Sequence, residues 1–222
     1  MRKCELRELG RMSNRSAFDL QRRLVEERKA GLIPDQFLLV EHQHVITLGR
    51  NGHMANLLTG EDVLRRAGVA FEHTDRGGDI TYHGPGQIVG YPIFDLREWK
   101  RDVVAFVRAI EQALIDALGE FGILAGRVDK CTGVWVGGKK IAAIGVHIGR
   151  WVTSHGFALN HSTDLSFFPY IVPCGLTRPV TSLEALGVRA SRREVEAAVA
   201  GCFARVFEFD IMEPVQAQEK LA

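Results

Sequence analysis

The chain has 222 residues, of which 46% are hydrophobic and 25% charged, with a formal net charge of +1. That length supports one large domain or two small ones, and the balance excludes large-scale disorder. The near-neutral total gives no electrostatic reason to expect nucleic acid or an anionic membrane as a partner. The start, MRKCELRELG, has no apolar signal core, and no later run approaches ~18 apolar residues, so a cytoplasmic protein is expected.

In chain order, the spacing predicts a helix over 14–29, with Ala17, Leu20, Leu24 and Val25 on one side and Gly31 as its stop. QFLLVEHQHVITLGR (36–50) is rich in apolar and β-branched residues and predicts a strand or strand pair. EDVLRRAGV (61–69) predicts a short helix ended by Gly68. The longest helix is expected at 102–121, with Asp102 as N-cap, Gly122 after it, and a broad apolar face from Val103 and Val104 to Leu118. TGVWV, KKIAAIGVHI and WVTSHGFALN, separated by GG and GR turns, predict successive strands between 132 and 160. Ser191 and Glu194 form a capping box before a last apolar helix carrying Cys202 in its core side. No repeat or linker interrupts the chain, so residues 1–222 are expected to form a single α/β (α+β) domain, helices flanking a mixed or antiparallel sheet.

Two phosphate-loop look-alikes fail. GVWVGGKK (133–140) puts Lys140 where a Ser or Thr must hold magnesium, and GPGQIVG (84–90) misses G-x-G-x-x-G by one residue; both lead into or lie within strands rather than opening a helix. His42 and His44 share a face of the expected strand, but two imidazoles without a third ligand favour a structural role, and no metal is expected. RGGDITYHGPGQIVGYPIFDL (76–96) combines Gly77 and Gly78, which permit close approach, with a Pro85-Gly86 turn and the polar groups Arg76, Tyr82, His83 and Gln87. Along 139–148, alternation groups Lys140 with Ala142, Ile144 and Val146, and Lys139 with Ile141, Ala143 and Gly145. The two lysines then face opposite ways, and alternation alone does not say which turns inward. Of four scattered cysteines, Cys131 and Cys174 remain candidates for chemistry.

Taken in order, RGGDITYHGPGQIVGYPIFDL, GGKKIAAIGVHIGRWVTSHGFALN (137–160) and IVPCGLTRPVTSL (171–183), with a milder match in VEHQHVITLGR, resemble the lipoyl(octanoyl) transferase family. The resemblance departs at Gln43, usually proline, and at His161, usually apolar. It implies the catalytic-domain fold shared by biotin and lipoate protein ligases, a mixed sheet with helices packed against it. It also implies transfer of an octanoyl group from acyl carrier protein to a lysine of a lipoyl domain, in 2-oxoacid dehydrogenase complexes or the glycine cleavage H protein, without a cofactor. Cys174 falls on the acyl-thioester nucleophile and Lys140 on the lysine that lowers its pKa, which leaves Lys139 outward. Substrate-lining segments fall on Arg76, Gly77, Gly78, Asp79, Ile80, Thr81, Tyr82 and His83, on Ala143, Ile144 and Gly145, and on Gly156, Phe157 and Ala158. The rival readings are an ATP-dependent ligase relative, a non-catalytic acyl-binding protein, and a Cys/His enzyme using His83 or His155. The basic residues Arg11, Arg15, Arg22, Arg23, Arg28 and Lys29 suggest a docking face for an acidic carrier.

Overall fold

The computed structural model describes residues 2–172 and 178–212. Strand β1 (Arg2–Met12) leads into helix α1 (Asn14–Lys29), whose first turn is capped by the Ser13 hydroxyl accepting from the Ser16 N–H. The apolar run at 36–50 is a strand pair, β2 (Asp35–His42) and β3 (Val45–Leu48), broken at Gln43. Next come α2 (Glu61–Arg66), β4 (Ala70–His73), β5 (Ile80–His83) and β6 (Gln87–Ile93). Helix α3 (Val103–Gly119) precedes β7 (Gly126–Val128), β8 (Cys131–Val136), β9 (Lys139–Gly149) and β10 (Val152–Asn160). Helix α4 (Arg192–Phe207), opened by the expected Ser191–Glu194 capping box, and β11 (Phe209–Met212) complete the described chain.

The strands form an eight-stranded sheet in the order β11-β1-β2-β6-β10-β9-β8-β7 and a smaller sheet in the order β4-β3-β5. Both are mixed: β1 runs parallel to β11 and β2, and β3 parallel to β4, while the other neighbours are antiparallel. The central strands are buried on both faces, which explains their near-continuous apolar sequence. Phe37, Leu39, Ile88, Phe157 and Leu159 face the paired helices α3 and α4. Leu38, Val40, Val89, Ile93 and Ala158 face α1. In the smaller sheet Ile46, Leu48, Ile80 and Tyr82 build a third core with Leu64, Val69 and Ile171.

Several sequence expectations change. Residues 2–12 carry no obvious strand pattern, yet β1 is held between two parallel neighbours, and Cys4 is core. The buried face of α3 begins only at Phe106; Val103 and Val104 are 46% and 69% exposed. His42 and His44 do not share a strand face, since β2 ends at His42 and the chain crosses to the other sheet before β3. Arg28 is also removed from any docking face. It is buried, with its guanidinium 2.9 Å from Asp35 and 2.7 Å from Glu98.

Asp35 ties the sheet to both ends of α1's connection. Its carboxylate accepts from Arg28 Nε and the Asp95 N–H, both at 2.9 Å, and from Arg2 at 3.2 Å. Burial raises its pKa, against the opposing pull of those donors. Replacing it with alanine removes the buried partner of Arg28 Nε, leaving that guanidinium to Glu98, and strands the Asp95 amide. Asp35→Ala is expected to lower stability in urea titration by about 3–5 kcal/mol, and Asp35→Asn by less, because it keeps an acceptor.

Candidate active site

A cavity of about 510 Å³ lies between the smaller sheet and strands β6, β9 and β10 of the larger one. One wall is the 76–79 segment, which rests directly on β9: the Gly77 N–H donates to the Val146 carbonyl at 2.9 Å. No side chain fits between these backbones. A Cβ on Gly145 would stand 2.8 Å from the Gly77 oxygen and 3.3 Å from the Arg76 Cδ. The opposite wall is β10 against β6, where a Cβ on Gly156 would collide with the Gly90 carbonyl. Val103 and Val107 of α3 and the 130–132 turn close one end.

Among the described residues, those the resemblance implies converge here with one exception. Residues 76–81, His83, Lys140, residues 143–145 and residues 156–158 all line the cavity. Tyr82 does not. Alternation along β5 turns it into the third core, stacked on Phe167 with centroids 5.2 Å apart and hydroxyl 2.8 Å from His44 Nδ1. Cys174 lies outside the described residues. The chain on each side of it is anchored at the site. Before it, the Val172 N–H donates to the Asn56 carbonyl at 2.8 Å, and Asn56 in turn hydrogen-bonds Asp79. After it, Lys140 N–H donates to the Pro179 carbonyl, and Thr181 N–H to the Lys140 carbonyl, both at 2.9 Å.

The orientation of Lys140 comes from a β-bulge that sequence alternation could not register. Val134 pairs with Ala142 but Trp135 pairs with Lys140, so Ile141 is the extra residue on β9. Ile141 and Ala142 consequently both face the α3–α4 core. Lys140 is thereby separated from Ala142, with which alternation grouped it, and falls in line with Ala143 and Gly145 at the cavity, while Ile144 and Val146 reach the cavity and also pack against the α3–α4 core. Its ammonium lies 4.8 Å from the Trp135 ring centroid, half-buried, while Lys139 is exposed.

Arg76 is buried, and its guanidinium donates to the Thr47 carbonyl at 2.7 Å and hydroxyl at 2.9 Å, bracing β3 against the loop. Asp79 accepts from the N–H groups of Ile80 at 2.7 Å and His53 at 3.2 Å. His83 is bonded through Nδ1 to Gln87 Oε1 at 2.9 Å, and burial, reinforced by His42 and Arg76, pushes its pKa down to about 3. His42, lowered likewise by burial, is structural: its Nδ1 donates to the Met12 carbonyl at 3.0 Å and its Nε2 accepts from the Tyr91 hydroxyl at 2.6 Å. His155, which holds a left-handed φ of 55° inside β10, pairs with Asp75 at 2.6 Å and also lines the cavity. Among the described residues no cluster could hold a metal ion, and no helix is long and apolar enough to cross a membrane. Sequence reading missed Thr47, Thr74, Val107 and Val180 in the lining, because tertiary crossing rather than any local motif brings them there.

The fold is that of the lipoate ligase catalytic domain. The structure superposes on a lipoate-protein ligase A bound with ATP with a TM-score of 0.79, at 19% identity over 96% of this chain and 88% of that one. A bipartite lipoate protein ligase from Thermoplasma acidophilum gives 0.79 at 17% identity, covering 96% and 87%. Residues 13–204 match the lipoyl protein ligase A/B catalytic domain. Octanoyltransferases from Solibacter usitatus and Koribacter versatilis are 66% and 48% identical, covering 96% and 92% of this chain and 96% and 84% of theirs. The chain belongs to the lipoyl protein ligase A/B catalytic-domain family, and within it to the octanoyltransferases.

The two low-pKa histidines set an acid limit on the fold. Unfolding returns them to about 6.5, so the unfolded chain binds more protons than the folded one as pH falls below that value. Stability is therefore present above pH 6.5 and declines towards the depressed folded values. Between pH 6.5 and about 5, above the ordinary carboxylate range, the melting temperature is expected to fall; His83→Asn, which cannot titrate, should flatten that slope in thermal melts.

Proposed function

We propose that this chain, acting as one cytoplasmic catalytic domain, transfers an octanoyl group from acyl carrier protein to a lysine of a lipoyl domain through a thioester on Cys174. The observation that carries this reading is the backbone pairing of Lys140 with Pro179 and Thr181, which ties the strand holding the lysine to the chain just after Cys174. The identity with octanoyltransferases supports the acyl group, and the lipoyl-domain acceptors follow from the same kinship. The glycine cleavage H protein is included among them on its lipoyl domain.

A thioester is already activated, so the chemistry needs no nucleotide. The Cys174 thiolate attacks the carrier thioester, the carrier thiolate leaves and takes up a proton, and an octanoyl-enzyme remains. The lysine amine then attacks that carbonyl: the C–N bond forms, the C–S bond breaks, and the surplus amine proton returns to Cys174. Lys140 favours the thiolate by its charge and shuttles the protons. Burying six methylenes of the tail contributes about 5 kcal/mol at ~0.8 each, and the small residues Ala143, Gly145 and Ala158 leave room for it.

Transfer is expected with neither ATP nor magnesium, and an octanoyl adduct, labile to hydroxylamine, should appear by intact mass on the native chain and not on Cys174→Ala. Loss of transfer when nucleotide is withdrawn would establish the ligase reading instead. Lys140→Met should move alkylation of Cys174 to higher pH, towards the ordinary thiol value of about 8.5. Lys140→Arg should keep much of the thiolate but lose transfer, because arginine does not release its proton.

A further inference from the structure

A line of buried amides leads from the Lys140 strand to His83. It starts at the Thr181 carbonyl, which can only accept, so Asn160 presents Nδ2 to it at 2.9 Å. Asn160 Oδ1 is then the acceptor on the other side, and Gln87 Nε2 donates to it at 3.0 Å. The Gln87 Nε2 contact with the Tyr82 carbonyl, at 3.4 Å, requires the same orientation. Gln87 Oε1 is left to accept from His83 Nδ1. Each of these side chains is under 9% exposed, so water does not substitute for a partner. The backbone carbonyl of Thr181 therefore fixes the imidazole tautomer: Nδ1 carries the hydrogen and Nε2 carries the lone pair.

The rest of the cavity is richer in donors. Arg76, Lys130 and Lys140 line it as cations, while its carboxylate, Asp79, already accepts from two backbone N–H groups and from Asn56. Such a lining disfavours a protonated amine and favours the neutral, nucleophilic one. A neutral amine still needs an acceptor for one N–H if its lone pair is to be aimed.

Resting on the transfer proposed above, we infer that His83 Nε2 accepts an N–H of the incoming lysine amine, and that Gln87 and Asn160 are positioning residues that hold the imidazole in the tautomer able to do so. His83 takes no proton. It orients the amine, whose nitrogen bonds the thioester carbon as the sulfur leaves, and the displaced hydrogen returns to Cys174 as described.

Nitrogen-15 NMR of the full chain at pH 7 reads the tautomer without turnover and needs no variant. His83 Nδ1 should show the shift of a protonated nitrogen and Nε2 that of a bare one; the reverse assignment overturns the proposal. The two half-reactions are then followed separately, octanoyl-enzyme formation by intact mass and its discharge to a lipoyl domain by acceptor mass. In Gln87→Leu, discharge is expected to slow about tenfold or more, clearly more than formation, and Gln87→Glu, which keeps an oxygen for Nδ1–H, should recover part of it. Equal loss of both half-reactions in Gln87→Leu overturns the assignment. Absence of any octanoyl-enzyme in the native chain would instead count against the transferase reading, which the NMR arm does not share.

Discussion

The site depends on one close approach of two backbones. The 76–79 segment sits on β9 with nothing between them but the Gly77–Val146 hydrogen bond, and Gly145 supplies the missing bulk. Because the segment is pinned there, Arg76 reaches back to Thr47 and Asp79 reaches forward to the 53–56 turn. That turn carries the Asn56 carbonyl to which Val172 is bonded. A single backbone contact thus propagates, through two ionic side chains, to the chain entering the Cys174 segment. A side chain at position 145 would displace all of it at once, not merely fill space.

The two sheets divide the labour. The central strands of the larger one are buried on both faces and supply the walls, with Ala158 and Phe157 of β10 turned to opposite cores. The smaller one alternates along β5, giving Tyr82 to its own core and Thr81 and His83 to the cavity, with Ile80 at the border of both. The cavity's geometry therefore rests on strands, whose side-chain directions are fixed by pleat and register, and the chain before residue 173 and after residue 177 is bonded to that frame.

Much of this was legible in the sequence. The helices at 14–29 and 102–121, the capping box at Ser191, the strand succession after residue 132 and the glycine-rich 76–86 stretch all appear close to where periodicity and turn chemistry put them. What escaped was set by register and crossing. β1 is strand because it finds two parallel partners, not because RKCELRELGRM reads as strand. The resemblance maps a contiguous segment that includes Tyr82 to the lining, whereas a pleated strand sends adjacent residues apart. The bulge at Ile141 reverses the faces of everything before it on β9, and only the pairing with β8 reveals it. Gln87 stood out as polar beside His83, but Asn160, 73 residues further on, joins it only when β6 and β10 pair.

The cysteines follow the same logic of environment over sequence. Cys202 is fully buried on α4 beside Glu120, and burial together with that carboxylate pushes its thiol up to about 12. Cys4 is raised as well, by burial and by the Asp35 charge. Both are held protonated by the same two forces, desolvation and a neighbouring anion, and so behave as small apolar side chains. Cys131 lines the cavity, and its carbonyl accepts from the Trp135 indole at 3.2 Å, the ring that Lys140 overlies. The cavity differs from the two cores in that, among the described residues, three cations, Arg76, Lys130 and Lys140, line it beside the one carboxylate of Asp79. Lysine facing inward from β9 adds a cation to that wall, and a neighbouring cation is the setting in which the ionised form of a thiol is favoured.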